Sequence, residues 1–212
     1  MAAPATSRVR ILAVARGEFA EHGFTDARLQ DIAERAGLTH PTLLYHFGSK
    51  EGLYSAVIEQ AVSDWAATTS RVRSTGLEGF DQVEALVHAG FEFFAQHQDF
   101  VVIVRREALE GAERLEGAIV AHMRPFLDDA VAFLVREVEA GRLRSHDPVE
   151  LMQICYSALL TYFSDARFRA RLLGDDPLGD AAQARFRAAL TGMLRAALDP
   201  GARDSAPAPR SR

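Results

Sequence analysis

Apolar residues recur at three- and four-residue steps along almost the whole chain, and nowhere do they alternate with polar ones over the length of a strand. That feature confines the fold to the all-α class, in which each helix buries its stripe against other helices. Ile11, Leu12, Ala15 and Phe19 form the first stripe, closed by Gly23. Two short pieces follow. Leu29, Ile32, Ala33 and Ala36 make one, closed by Gly37; Leu43, Leu44 and Phe47 make the other, closed by Gly48. Thr39 is placed as N-cap of the second piece, with Pro41 in its first turn, where a missing N–H costs nothing. Ser49 is the expected cap of a long helix over 50–73. Further helices are expected over 78–97, 99–111 and 115–140, the last interrupted or bent at Pro125. One more starts at the Asp147-Pro148 signal, and a final one covers 180–198. The total is about nine: three short, then six longer.

Composition narrows the class. The 212 residues are 48% apolar and 25% charged, which excludes disorder of the whole chain. No run approaches the ~18 uninterrupted apolar residues that span a bilayer. The first ten residues lack the apolar segment of a secretory signal. Cys155 is the only cysteine, so neither an intrachain disulfide nor a thiolate zinc site is available, and a cytoplasmic location is expected. Residues 199–212, rich in Pro, Ala, Arg and Ser, are expected to form a disordered tail. The division is therefore 1–50, 51–198 and 199–212.

The net charge of −5 argues against a nucleic-acid partner for the chain as a whole, but the charge is unevenly spread. Residues 1–50 hold six basic and five acidic side chains, and the first sixteen residues hold three arginines and no acid. Of the 24 cationic side chains, only Lys50 is a lysine.

The two short helices joined by Gly37-Leu38-Thr39 have the spacing of a helix-turn-helix. In the second, Leu43 and Phe47 lie four apart and face the core. His40, Pro41, Thr42, Leu44, Tyr45 and His46 are left outward or at the edge. This helix carries no formal charge and is followed by Lys50, an arrangement that suits a groove lined by phosphates. Periodicity alone leaves open an ordinary αα-hairpin within a bundle.

Residues Ile11 through Glu51 resemble the DNA-binding domain of the TetR/AcrR-type transcriptional regulators. The resemblance rests on Phe19-Ala20-Glu21-His22-Gly23-Phe24, on Asp31-Ile32-Ala33-Glu34-Arg35-Ala36-Gly37-Leu38, and on Thr39 through Glu51 in uninterrupted register. It implies that Gln30, His40, Pro41, Thr42 and Leu44 meet base edges. It implies phosphate contacts for Thr39, Tyr45, His46 and Lys50, to which the charge of Arg28 adds a further candidate. Plainer uses exist for some of these: packing for Tyr45, a structural hydrogen bond for His46, solvation for Gln30. Two departures stand out. Ala27 and Arg28 occupy positions where the family usually has hydroxyl residues, so Thr25 or Asp26 is the expected cap of the second helix. Leu44 replaces a usual tyrosine, exchanging a base hydrogen bond for an apolar contact such as a thymine methyl.

The resemblance implies that the rest of the chain is a helical effector-binding and dimerisation domain, with a homodimer formed through the last two helices. Those helices carry apolar stripes and the small residues Ala158, Ala188, Ala189, Gly192, Ala196 and Ala197, which permit close approach. For a small, mostly apolar effector, the candidate pocket residues are His88, Phe91, Phe94, Arg105, Met123, Phe126, Cys155, Tyr156 and Leu159. Core packing is the plainer use of the aromatics. A surface salt bridge to Glu107 or Glu110 is the plainer use of Arg105 and Arg106. The function implied is a ligand-responsive DNA-binding regulator, a repressor released from operator DNA by its effector. Alternatives of the same fold are a metal-sensing or a protein-partner-controlled regulator; His88, His97, His122 and His146 show no paired ligand spacing. No cofactor or metal is expected. No phosphate loop, activated nucleophile or carboxylate pair points to an enzyme.

Overall fold

The computed structural model describes residues 7–203, except for the side chains of 115–122 and 202–203. Among the described residues ten α-helices follow one another: α1 (Ser7–Asp26), α2 (Leu29–Arg35), α3 (His40–Phe47), α4 (Lys50–Arg73), α5 (Gly79–Gln96), α6 (Gln98–Glu110), α7 (Glu113–Glu139), α8 (Pro148–Ser164), α9 (Ala166–Leu173) and α10 (Asp180–Leu198). No strand occurs among the described residues. The helix beyond the expected nine is α9. No glycine or proline separates it from α8, so the helical period runs on across Asp165, whose N–H still bonds the Thr161 carbonyl. α7 is not interrupted at Pro125: the helix runs on through it, the proline removing one N–H from the ladder.

The chain forms two compact units. The first holds residues up to Trp65 together with His97–Pro125; the second holds Ala66–Gln96 and the residues from Phe126 onward. Segments distant in sequence therefore share the first unit. Its core is Ile11, Ala15, Phe19, Ile32, Leu43, Leu53, Ile58 and Ile103, all essentially without solvent contact. Each of the larger side chains contributes on the order of 1.5–3 kcal/mol by burial.

Helix ends in this unit follow local rules. Gly23 (φ 77°, ψ 174°) breaks α1 with a backbone conformation that L side chains rarely adopt. α2 ends in a Schellman pair: Gly37 N–H donates to the Glu34 carbonyl and Leu38 N–H to the Ala33 carbonyl. Its start departs from expectation. Arg28 is the N-cap residue and no side chain caps it, so neither Thr25 nor Asp26 plays that part; the Ala27 N–H instead reaches back to the Gly23 carbonyl. Thr39 caps α3 by accepting from the Thr42 N–H, and Ser49 caps α4 by accepting from the Gly52 N–H. A Cβ at Gly52 would fall on the Phe47 carbonyl oxygen, so glycine is what lets α4 begin so tightly behind α3.

In the second unit α5 packs against both α8 and α10. Phe91 of α5 meets Tyr162 and Phe163 of α8 and Phe186 of α10 at centroid distances of 5.6, 5.0 and 6.2 Å. Asp147 caps α8 by accepting from the Val149 and Glu150 N–H groups, as its place before Pro148 predicts. Residues Pro200–Arg203, within the stretch 199–212, form a 3-10 turn. Arg144 holds it by donating to the Ala196 and Pro200 carbonyls at 2.9 and 3.0 Å. The remainder, 204–212, lies outside the described residues.

Glu137 is buried and accepts from the Gly79 N–H and twice from Arg142, at 2.8, 2.6 and 2.9 Å. The Arg142 guanidinium holds the Glu137 carboxyl below its ordinary value of 4.5, against the opposing effect of burial. In the unfolded chain this carboxyl takes up its proton first. The stabilisation is therefore complete above the ordinary value and is lost as pH falls through the depressed one. Urea unfolding should separate wild type from Arg142→Gln clearly at pH 7, and the two midpoints should converge as pH falls below the ordinary carboxylate value. A gap that stays constant with pH would refute this assignment.

Candidate nucleic-acid interface

α3 stands on its buried Leu43, with Phe47 half-buried beneath the Arg8 guanidinium at 4.8 Å. That footing turns the other side chains outward. His40 and Pro41 are exposed, Thr42, Leu44 and His46 are half-buried, and Tyr45 is 87% exposed. The Tyr45 and His46 rings meet edge to face at 5.6 Å. The Thr39 and Thr42 hydroxyls share a hydrogen bond of 2.9 Å, which fixes both at the N-terminal end of α3. On α2, Gln30 is exposed and reaches Glu34 at 3.4 Å, and Arg28 is exposed at the helix start. The face so formed by α3 offers hydroxyl, imidazole, phenol and aliphatic groups without a carboxylate, a set able to hydrogen-bond base edges and contact a thymine methyl.

Lys50 has a definite place of its own. Its Nζ donates to the Thr25 carbonyl at 2.8 Å and lies 4.9 Å from the Phe24 ring centroid. The ammonium therefore ties the start of α4 to the last turn of α1, just past the kink at Gly23.

The nine residues placed around an effector do not share one unit. Arg105 and Met123 belong to the first, and His88, Phe91, Phe94, Phe126, Cys155, Tyr156 and Leu159 to the second. Phe91 and Leu159 are buried core residues, and Phe94 is half-buried beside Phe163 at 6.4 Å. Met123, Phe126 and Cys155 are half-buried, Tyr156 is 41% exposed and Arg105 is exposed. The second unit contains a cavity of about 410 Å³ between α5 and α10, bordered by Glu84, His88, Arg187, Thr191 and Arg195. Of the nine residues His88 alone lines it, with Nε2 3.4 Å from the Thr191 hydroxyl. The side chain of His122 lies outside the described residues. The salt bridges expected for Arg105 and Arg106 are made by another residue: Arg114 takes Glu107 and Glu110, both at 3.0 Å.

Three possible metal ligands, Glu18, Glu21 and His22, lie within 4.8 Å of one another. Glu18 is buried and is already the ion-pair partner of Arg35. On α8 and α10 the apolar side chains of Ile154 and Met193 are 59% and 72% exposed, and Ala188, Ala189, Gly192, Ala196 and Ala197 are exposed near Met193 along α10. No helix among the described residues is long and apolar enough to cross a membrane.

Sequence reasoning missed Gly52, Arg106 and Arg114. Each acts on a partner that periodicity does not identify: a carbonyl at a helix junction for Gly52, and side chains or carbonyls of other helices for the arginines.

Burial pushes the Cys155 thiol up to about 11. Its thiolate is therefore scarce at neutral pH. Alkylation by iodoacetamide in the native protein should be slow at pH 8 and rise about tenfold per unit towards pH 11. A rate at pH 8 matching that of a free peptide thiol would contradict this environment.

Known proteins match this architecture on both sides. Residues 11–57 match the model of the bacterial regulatory proteins of the tetR family, and residues 80–194 match the tetracyclin repressor-like C-terminal domain. The HTH-type transcriptional regulator RutR of Escherichia coli K12 is 30% identical over 155 residues, covering 72% of this chain and 71% of RutR. Among solved structures, AibR in complex with isovaleryl coenzyme A and operator DNA has a TM-score of 0.72 at 18% identity, covering 89% of this chain and 98% of that one. FadR of Bacillus subtilis in complex with stearoyl-CoA has a TM-score of 0.68 at 14% identity, covering 86% and 97%. This chain belongs to the TetR family of bacterial transcriptional regulators.

Proposed function

We propose that this regulator is a homodimeric repressor that reads operator DNA with α3 and releases it when a small, mostly apolar effector binds the C-terminal region. The exposed, carboxylate-free face of α3, with Tyr45 almost entirely in solvent, carries the DNA part of the reading. Gln30, His40, Pro41, Thr42 and Leu44 are assigned to bases. Arg28, Thr39, Tyr45, His46 and Lys50 are assigned to phosphates.

The dimer is assigned to α8 and α10. Exposed Ile154 and Met193 leave apolar surface that a second copy would cover, and exposed alanines and a glycine on α10 let a helix approach closely. A two-fold dimer sets two copies of α3 against half-sites about one helical turn apart or a multiple of it.

For the apolar part of the effector, an acyl chain is the class that the neighbours support, since the same fold accompanies isovaleryl coenzyme A in AibR and stearoyl-CoA in FadR, where a charged coenzyme A group carries the acyl chain. An effector that favours a conformation with mismatched half-site spacing needs a coupling of only about 1–3 kcal/mol to weaken operator binding roughly 5–150-fold.

The test is fluorescence anisotropy on DNA from upstream of the protein's own gene, at two salt concentrations. Wild type should bind one fragment tightly and selectively. Thr42→Ala should change the preferred sequence with affinity altered by about 1–3 kcal/mol at one position. Met193→Glu should give monomers in sedimentation and lose tight binding. Acyl-coenzyme A esters of graded chain length should release the wild-type complex. Weak binding without sequence preference, equal for wild type and Thr42→Ala, would overturn the assignment of α3.

A further inference from the structure

The segment Gly23-Phe24-Thr25 holds the kink of α1 just before the helix-turn-helix, and three cations from three later helices converge on it. Arg106 of α6 donates through Nη2 to the Ala20 and Glu21 carbonyls at 3.3 and 3.4 Å. Arg114 of α7 stacks over the Phe24 ring at 4.9 Å. Lys50 of α4 lies over the same ring and bonds the Thr25 carbonyl. Arg106 and Arg114 fall within the matched C-terminal region, yet both belong to the first compact unit with α1, α2 and α3.

The chemistry of this segment explains the convergence. Gly23 breaks the helical geometry inside α1, and the Arg106 guanidinium meets the Ala20 and Glu21 carbonyls just before that break. A guanidinium donates to two such carbonyls at once. The backbone favours glycine at 23, whose φ of 77° L side chains rarely adopt, and a Cβ there would push the Arg106 guanidinium aside, lying 2.5 Å from its Nη1. Arg114 is held in turn by Glu107 and Glu110. Glu107 is 1% exposed; one of its oxygens also accepts from the Tyr54 hydroxyl at 2.8 Å, and the other has no hydrogen-bond partner among the described residues. Arg114 is thus the cation that balances a buried carboxylate, and its stack on Phe24 couples that balance to the segment.

We propose that Arg106 and Arg114 are positioning residues of the DNA-reading head: they clamp the Gly23–Thr25 segment, so the placement of α6 sets the placement of α2 and α3 directly as well as through α4. Neither guanidinium touches DNA in this account. The proposal rests on the operator-binding reading only for its effect on affinity.

Arg106→Gln, Arg106→Lys and Arg114→Gln, made in the full chain, test it by amide hydrogen exchange and by operator affinity against salt. The Gln variants should raise exchange at amides 24–36 at least tenfold, while amides of α5 and α10 keep their wild-type rates; Arg106→Lys should restore part of the protection. Operator affinity should fall about tenfold with the slope of log affinity against log salt unchanged, because no phosphate contact is lost. Unchanged exchange over 24–36 would overturn the clamp. So would a salt slope reduced by about one unit, which would make Arg106 a phosphate ligand. If no upstream fragment binds wild type, the repressor reading falls while the exchange data still decide the clamp.

Discussion

A buried hydroxyl and a buried carboxylate that need each other hold the DNA-reading unit in place. Tyr54 packs edge-on against Phe19 at 4.8 Å and near Phe24 at 5.1 Å, where almost no water reaches its ring. Its hydroxyl must find an acceptor there, and finds Glu107. Burial and then the hydrogen bond to Glu107 push the Tyr54 hydroxyl's ionisation well above the ordinary tyrosine range, so it stays a donor at any physiological pH. A carboxylate buried this deeply costs several kcal/mol unless it is paired, on the order set by ion desolvation, and Arg114 supplies the charge. The three groups come from α4, α6 and α7. They keep α6 beside α1, and the placement of the helix-turn-helix follows.

The recognition helix shows the complementary use of burial. α3 has only eight residues and anchors itself by Leu43 and the underside of Phe47. So short a helix is marginal by itself, and its N-cap at Thr39 and the glycines at 48 and 52 hold it between neighbours. The outward face is thereby free of any packing duty, which is why an almost fully exposed tyrosine can stand there.

Much of this was legible in the sequence because it follows from local rules. The caps at Thr39, Ser49 and Asp147, the break at Gly23 and the bounds of α4 and α10 all appear where spacing places them. The misreadings have physical causes. α9 was hidden because nothing breaks the period at Asp165, and α2 starts without the side-chain cap its neighbours offered. The residues assigned to a pocket illustrate a deeper difficulty. A stripe of aromatics reads the same whether it lines a cavity or fills a core, and Phe91 and Leu159 fill the core.

The sequence by itself determined the helical class, the helix-turn-helix and the outward chemistry of α3, because helix periodicity, caps and glycines act over a few residues. Only the tertiary structure decided that 97–125 joins the first unit, that Lys50 braces the last turn of α1, and that Arg106 meets carbonyls of a helix some 85 positions earlier. These depend on which buried polar group meets which partner across distant segments. An arginine carries the same five donors wherever it stands, and nothing in its local sequence says which carbonyl it will satisfy.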